Sequence, residues 1–214
     1  MGRTTYRVRV RRKRHASVGE AQGFTKVTKR LTKRATRNRV LADIKAAAAK
    51  LKRNDIFFLT YSGHGGQVPN TGRDLEPDGF DETWCLYDGE LIDDELYAVL
   101  KQFVNGVRIF VLSDSCHSGT VLREMQFSAL GVTPVRPRMM PRDVALRVYM
   151  DHQKFYDKLQ QSRSSPRTRM RATALLISGC QDNQTIADGD RNGLFTHACC
   201  LEERKVRGEL PRLS

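Results

Sequence analysis

The sequence predicts an α/β fold: a mainly parallel sheet flanked by helices. Three observations lead there. Short apolar runs of strand length, "IFFLTYS", "VRIFVLSD" and "TALLIS", alternate with stretches of helical periodicity. Each run ends in a polar tip of small residues: "SGHGG", "SDSCHSG" and "SGCQDN". The 214 residues are enough for one such domain with a sizeable core.

The elements follow in chain order. Residues 1–22 form a basic, poorly specified segment; "YRVRV" alternates as a half-exposed strand does, but its other face is arginine. "FTKVTKRLT" (24–32) alternates more clearly. "ATRNRVLADIKAAAAKLK" reads as a helix, because Val40, Ile44, Ala47 and Leu51 recur at helical spacing and alanine is the best helix former. "NDIFFLTYSG" reads as a buried strand and "QVPNTGRDLEPDGFDE" as a polar loop. "TWCLYDGEL" reads as strand and turn. "IDDELYAVLKQF" is a helix with acids in its first turn, where the macrodipole favours them. "GVRIFVLSDSCHSG" is a second buried strand. Residues 131–141 and 161–171, rich in Pro, Arg and Ser, bracket a helical stretch at 142–160. "RATALLISGCQDN" is a third buried strand, and "NGLFTHACCLEER" starts a helix. Alternation of this kind argues for parallel strands, and ligand sites in such sheets lie beyond the strands' carboxyl ends. The three polar tips are therefore expected on one edge of the sheet.

Composition narrows the function classes. The net charge of +13 is concentrated: residues 1–40 carry 14 Lys/Arg and one acid, Glu20, while the remainder is neutral. That segment can bind nucleic acid or anionic lipid, or be a solvated tail. Aromatic residues are almost absent from it, which argues against single-strand nucleic-acid binding. No stretch approaches the roughly 18 apolar residues of a membrane span, and no secretory core follows the basic N-terminus. The five cysteines (Cys85, Cys116, Cys180, Cys199, Cys200) match no zinc spacing. Free thiols in the cytoplasm, with no membrane partner, are the expectation.

The tips carry the chemistry. Cys116 sits among small residues at one strand end, and His64 lies 52 residues upstream on a comparable tip. An imidazole that removes the thiol proton makes a nucleophile able to attack a carbonyl and form an acyl-enzyme. The intermediate's oxyanion needs donors, and the N–H groups of Gly65 and Cys116 are the candidates. Gly63, Gly65 and Gly66 clear the space around His64. His117 is a rival base, but neighbouring strand residues point to opposite faces, which disfavours it.

Taken together, "YSGHGGQVP", "DETWCLYDGELIDDEL", "VLSDSCHSGT" and "ISGCQDNQTIADGDRNGLFT" resemble the metacaspases and their bacterial relatives, the orthocaspases. The motifs occur in the family's order, from about Gly23 to Thr196. The resemblance implies a caspase-like three-layer sandwich at 23–214. Within it, 23–130 would be the large-subunit-like part, 131–171 an Arg/Pro-rich linker and helix, and 172–214 the small-subunit-like part. It implies a cysteine endopeptidase with Cys116 as nucleophile and His64 as base and later acid, needing no cofactor for the chemistry. It also implies protein or peptide substrates cleaved after Arg or Lys, with Asp114 and Ser62 in the pocket for that residue. Asp78, Asp81, Glu82, Asp93 and Asp94 occupy the region where many metacaspases bind calcium, and hard oxygen ligands suit that ion. Asp93 and Asp94 are equally ordinary helix N-terminal acids. The Arg-rich stretch 134–171 offers sites for self-cleavage.

Both margins depart from the family pattern. The family's first strand is central in its sheet, and nothing in residues 1–22 matches it, so that strand is expected to be missing. After "NGLFT" the chain becomes charged where the family continues to a further strand. An exposed sheet edge would then be open to a partner chain. Two other readings compete with the peptidase: an inactive caspase-fold binding or scaffold module, and a nucleic-acid-binding protein acting through residues 1–40.

Overall fold

A computed structural model describes residues 3–9, 24–72, 79–115, 139–161 and 170–178. Its centre is a pair of strands, β3 (Ile56–Ser62) and β7 (Arg108–Asp114), rich in the β-branched and aromatic residues that suit a pleated surface. They run parallel in unbroken register from Ile56↔Arg108 to Ser62↔Asp114. Burial alternates along β3: Phe57, Leu59 and Tyr61 are buried, and the residues between them are only half-buried. The apolar run that reads as continuously buried therefore has one fully covered face.

Helix α1 (Arg37–Ala48) and helix α2 (Asp93–Leu100) supply that cover. Val40, Ile44 and Ala47 of α1 and Val99 and Leu100 of α2 join Phe57, Leu59, Tyr61, Ile109 and Val111 in the main core. Phe57 packs on Phe103 with ring centroids 4.7 Å apart. Each such fully buried large side chain is worth roughly 1.5–3 kcal/mol.

The central position expected to be vacant is filled. β1 (Arg3–Arg9) lies between β2 (Lys26–Leu31) and β3, parallel to both, and β8 (Thr173–Ser178) completes the order β2-β1-β3-β7-β8. The expectation of a missing strand rested on the lack of a match to the family's first strand in residues 1–22 and on the arginine side chains. Backbone pairing does not depend on them: Thr4–Arg9 pair with Lys26–Leu31 on one side, and Arg3–Arg9 with Ile56–Ser62 on the other. Without β1, β2 and β3 would each present an unpaired row of N–H and C=O groups.

β8 also differs from its expected buried state. It is exposed along its whole length, with Leu175, Leu176 and Ile177 at 50, 63 and 45%. Among the described residues it pairs with β7 on one side and stands at an edge of the sheet.

The stretch expected as a polar loop contains strand at both ends. β4 (Gly65–Pro69), β5 (Phe80–Leu86) and β6 (Gly89–Ile92) form a separate antiparallel sheet, with Tyr87–Asp88 as the β5–β6 turn. Two helices pack on it, α3 (Arg142–Asp151) and α4 (Gln153–Gln161), in place of one continuous helix. Val68, Ile92, Tyr149 and Tyr156 form a second small core between them. Gln160 fastens α4 to the end of β4: its Oε1 accepts from Thr71 N–H at 2.6 Å, and its Nε2 donates to the Pro69 carbonyl at 3.0 Å. The helix expected in "NGLFTHACCLEER" lies outside the described residues. No helix among those described is long and apolar enough to cross a membrane.

In a strand paired on both sides every interior N–H serves a neighbour. Tyr6→Pro should therefore lower stability by about 3 kcal/mol or more. Urea unfolding monitored by circular dichroism measures this, and a variant as stable as wild type would remove β1 from the sheet.

Candidate active site

The site begins with register. Ser62 pairs with Asp114, and the Gly63 N–H donates to the Asp114 carbonyl at 3.3 Å. His64 and Cys116 each come two residues after that pair. Adjacent strands lie about 4.8 Å apart, so the two loops leave the sheet side by side and at one height. β8 joins the same edge, with Ser113 paired to Ser178. The expected convergence of the three tips holds up to the last described residues; Cys116, His117 and the rest of the "SGCQDN" tip lie outside them.

His64 is exposed, and its backbone is pinned. The Tyr61 hydroxyl donates to the His64 carbonyl at 2.7 Å, with the Cys85 carbonyl also within reach at 3.0 Å. The Cys85 N–H donates to the same His64 carbonyl at 3.0 Å. Gly65 follows as the first residue of β4, and its own carbonyl accepts from Met140 N–H at 2.8 Å.

Two of the glycines have a packing reason beyond clearing space. A Cβ on Gly63 would run into the Tyr61 hydroxyl. A Cβ on Gly66 would press on the Glu90 carboxyl, the Thr83 hydroxyl and the Cys85 sulfur.

Asp114 and Ser62 are brought together: the Ser62 hydroxyl donates to Asp114 Oδ2 at 3.3 Å, and Asp114 is 1% exposed. Of the acids suggested for calcium, four lie among the described residues. Asp81 is buried and accepts from Asn70 Nδ2 at 2.6 Å. Glu82 is the next residue of β5 and so faces the other way. Asp93 and Asp94 open α2, and Asp78 lies outside the described residues. Among the described residues no three His, Cys, Asp or Glu side chains converge as a metal requires. No step of the chemistry is drawn through calcium.

Sequence reasoning missed a polar layer beneath the His64 loop. Glu90, in a "DGE" that reads as turn, is 1% exposed and is hydrogen-bonded to Thr83 Oγ1. Its N–H donates to the Tyr156 hydroxyl at 3.0 Å. Burial pushes its carboxyl up from the ordinary value, and burial likewise pushes up the thiol of Cys85, with the nearby Glu90 adding to the shift. On the opposite face of β5, the Trp84 ring stacks on Tyr61 at 4.4 Å and its Nε1–H donates to Ser113 Oγ at 3.1 Å. A single tryptophan in the strand next to the glycine loop was the only signal for that layer.

A mainly parallel sheet that sets His64 and the strand leading to Cys116 side by side defines a caspase-like sandwich. Comparison with known proteins agrees. The family model for the metacaspase, peptidase C14 domain matches residues 14–125. Metacaspase-1 of Schizosaccharomyces pombe is 33% identical over 211 residues, 84% of this chain and 48% of that protein. Metacaspase-1 of Candida albicans is 30% identical over 84% of this chain and 47% of its own length. A crystal structure of a Geobacter sulfurreducens protein superposes with a TM-score of 0.78 at 44% identity, covering 95% of this chain and 81% of that one. The chain belongs to the metacaspase family. It spans about half the length of the curated relatives it matches.

Glu90 makes stability depend on pH in a defined direction. Its folded pKa is raised, so above the ordinary carboxylate value of 4.5 the unfolded chain releases a proton that the folded chain keeps. Stability then falls as pH rises, by at most about 1.4 kcal/mol per pH unit, until the folded carboxyl titrates as well. Glu90→Gln keeps the shape and cannot ionise. The melting temperature of the variant should gain on wild type as pH rises above 4.5 and level off once the folded carboxyl titrates. A difference independent of pH would show that the folded carboxyl of Glu90 is not raised.

Proposed function

We propose that this chain is a cysteine-type endopeptidase that cleaves protein or peptide substrates after Arg or Lys, with Cys116 and His64 as its dyad. The observation that carries the reading is the Ser62↔Asp114 pair, which starts the His64 and Cys116 loops from adjacent strands at one level. His64 takes the thiol proton, and the sulfur attacks the carbonyl carbon of the scissile bond. The N–H groups of Gly65 and Cys116 receive the developing oxyanion. As the intermediate collapses, the peptide C–N bond breaks and His64 returns its proton to the leaving amine. Water, deprotonated by His64, then hydrolyses the thioester, releasing the acid and restoring the thiol.

Asp114, joined by Ser62, is the carboxylate that selects a guanidinium or ammonium side chain before the cut. A reducing cytoplasm keeps Cys116 a thiol and suits the free thiol of Cys85.

Fluorogenic peptides ending in Arg, Lys or Asp test the reading, with and without calcium and beside a circular dichroism check of folding. Cleavage after Arg and Lys should vanish in Cys116→Ala and fall on the order of 10²–10⁴-fold in His64→Ala. Asp114→Asn should erase the preference for basic over neutral residues. A folded wild-type protein that cleaves none of these peptides would reject the peptidase in favour of the scaffold reading.

A further inference from the structure

We infer that Trp84 is a positioning residue for the dyad, tying the backbone of His64 to the strand end that carries Cys116; this rests on the peptidase reading above. Four buried side chains make the link. Tyr61 holds the His64 carbonyl through its hydroxyl at 2.7 Å. Its ring lies nearly parallel to that of Trp84, 4.4 Å between centroids and 11° between planes. The Trp84 Nε1–H donates to Ser113 Oγ at 3.1 Å, and Ser113 Oγ shares a 2.8 Å hydrogen bond with Ser115 Oγ. Ser115 immediately precedes Cys116.

The arrangement is closed rather than incidental. Tyr61 and Ser113 are register partners across β3 and β7, so the indole bridges a backbone pair one step behind the two loops. Trp84, Ser113 and Ser115 are 6, 2 and 0% exposed, which keeps water from substituting for any of these bonds. The indole has a single N–H and Ser113 is its partner, so the ring cannot rotate without stranding a buried donor. β5 thereby transmits the position of one loop to the other. The backbone of His64 and the strand end that precedes Cys116 are thus held by one chain of contacts.

Trp84→Phe keeps an aromatic ring against Tyr61 and removes only the donor. Ser113→Ala removes the acceptor and the bond to Ser115. Each should lower kcat about tenfold with KM unchanged, the scale of one buried hydrogen bond. The double variant should be no slower than either single one, because both cut the same link. Cys116 alkylation by iodoacetamide, followed at the peptide level by mass spectrometry across pH, gives a second readout. Below the ordinary thiol range the variants should alkylate more slowly by a factor matching the loss in kcat, while thermal melts show the same folded fraction.

Wild-type kcat and alkylation in Trp84→Phe would overturn the inference. So would losses that multiply in the double variant or merely follow the folded fraction. Should wild type alkylate fast while cleaving no peptide, the peptidase reading fails and the alkylation rates of the variants alone decide this one. Should wild-type Cys116 react as an ordinary thiol, no aligned dyad exists and both fall.

Discussion

The parallel pairing of β3 with β7 is the constraint on which the rest depends. Its register puts Phe57, Leu59 and Tyr61 on the face covered by α1 and α2, and it levels the starts of the two loops. These are one constraint, because side chains alternate with a period of two. A one-residue slip would turn the buried rings of β3 to the poorly covered face and raise one loop above the other. Core packing therefore selects the register that levels the two loops without any contribution from the side chains of the candidate dyad. Tyr61 shows the economy of this arrangement: its ring fills the core and its hydroxyl ends on the His64 carbonyl.

The candidate dyad was legible because its signal is local. Apolar runs, polar tips and the 52-residue spacing can be read without knowing which strands pair. The small sheet was not legible, because its pieces violate strand statistics. "GGQVP" has two glycines and a proline, and such a segment becomes a strand only because β5 lies beside it. β1 was misjudged for the converse reason. Its arginines argue against a central place, while the need to pair the edges of β2 and β3 argues for it, and pairing is a long-range property that no single segment displays. In β8 the reverse holds: "TALLIS" reads as core because it is apolar, yet apolar sequence does not by itself supply a covering layer.

The basic character of the first 40 residues also looks different once partners are visible. Arg30 makes a two-pronged pair with Asp43 at 2.6 and 2.8 Å, fastening β2 to α1. Arg37 is nearly buried, pairs with Glu95 at 2.5 Å, and lies over the Phe155 ring at 4.7 Å. Its N–H donates to Asp88 in the β5–β6 turn at 2.8 Å. Glu95 in turn accepts from the Ile92 N–H at the start of α2 at 3.3 Å. One arginine thus joins α1, α2, α4 and the small sheet. Removing either member of the Arg37–Glu95 pair would leave the other charge buried, which costs more than the pair itself contributes. Arginines engaged in this way are withdrawn from a nucleic-acid surface.

β5 explains how the two sheets act as one site. Thr83 and Cys85 face Gly66 and Glu90, while Trp84, between them, faces Tyr61 and Ser113. One face is a polar pocket under the glycine strand, where burial raises the carboxyl of Glu90. The other is an aromatic plate that joins the small sheet to the large one. Slipping β5 by one residue would drive an indole toward the space that only Gly66 leaves open. It would also turn Thr83 toward the Tyr61 ring, losing both the stack and the Ser113 bond. The absence of a side chain at Gly66 and the bulk of Trp84 thus enforce the same β4–β5 register from opposite faces. That register delivers His64 to the sheet edge with its carbonyl already bound.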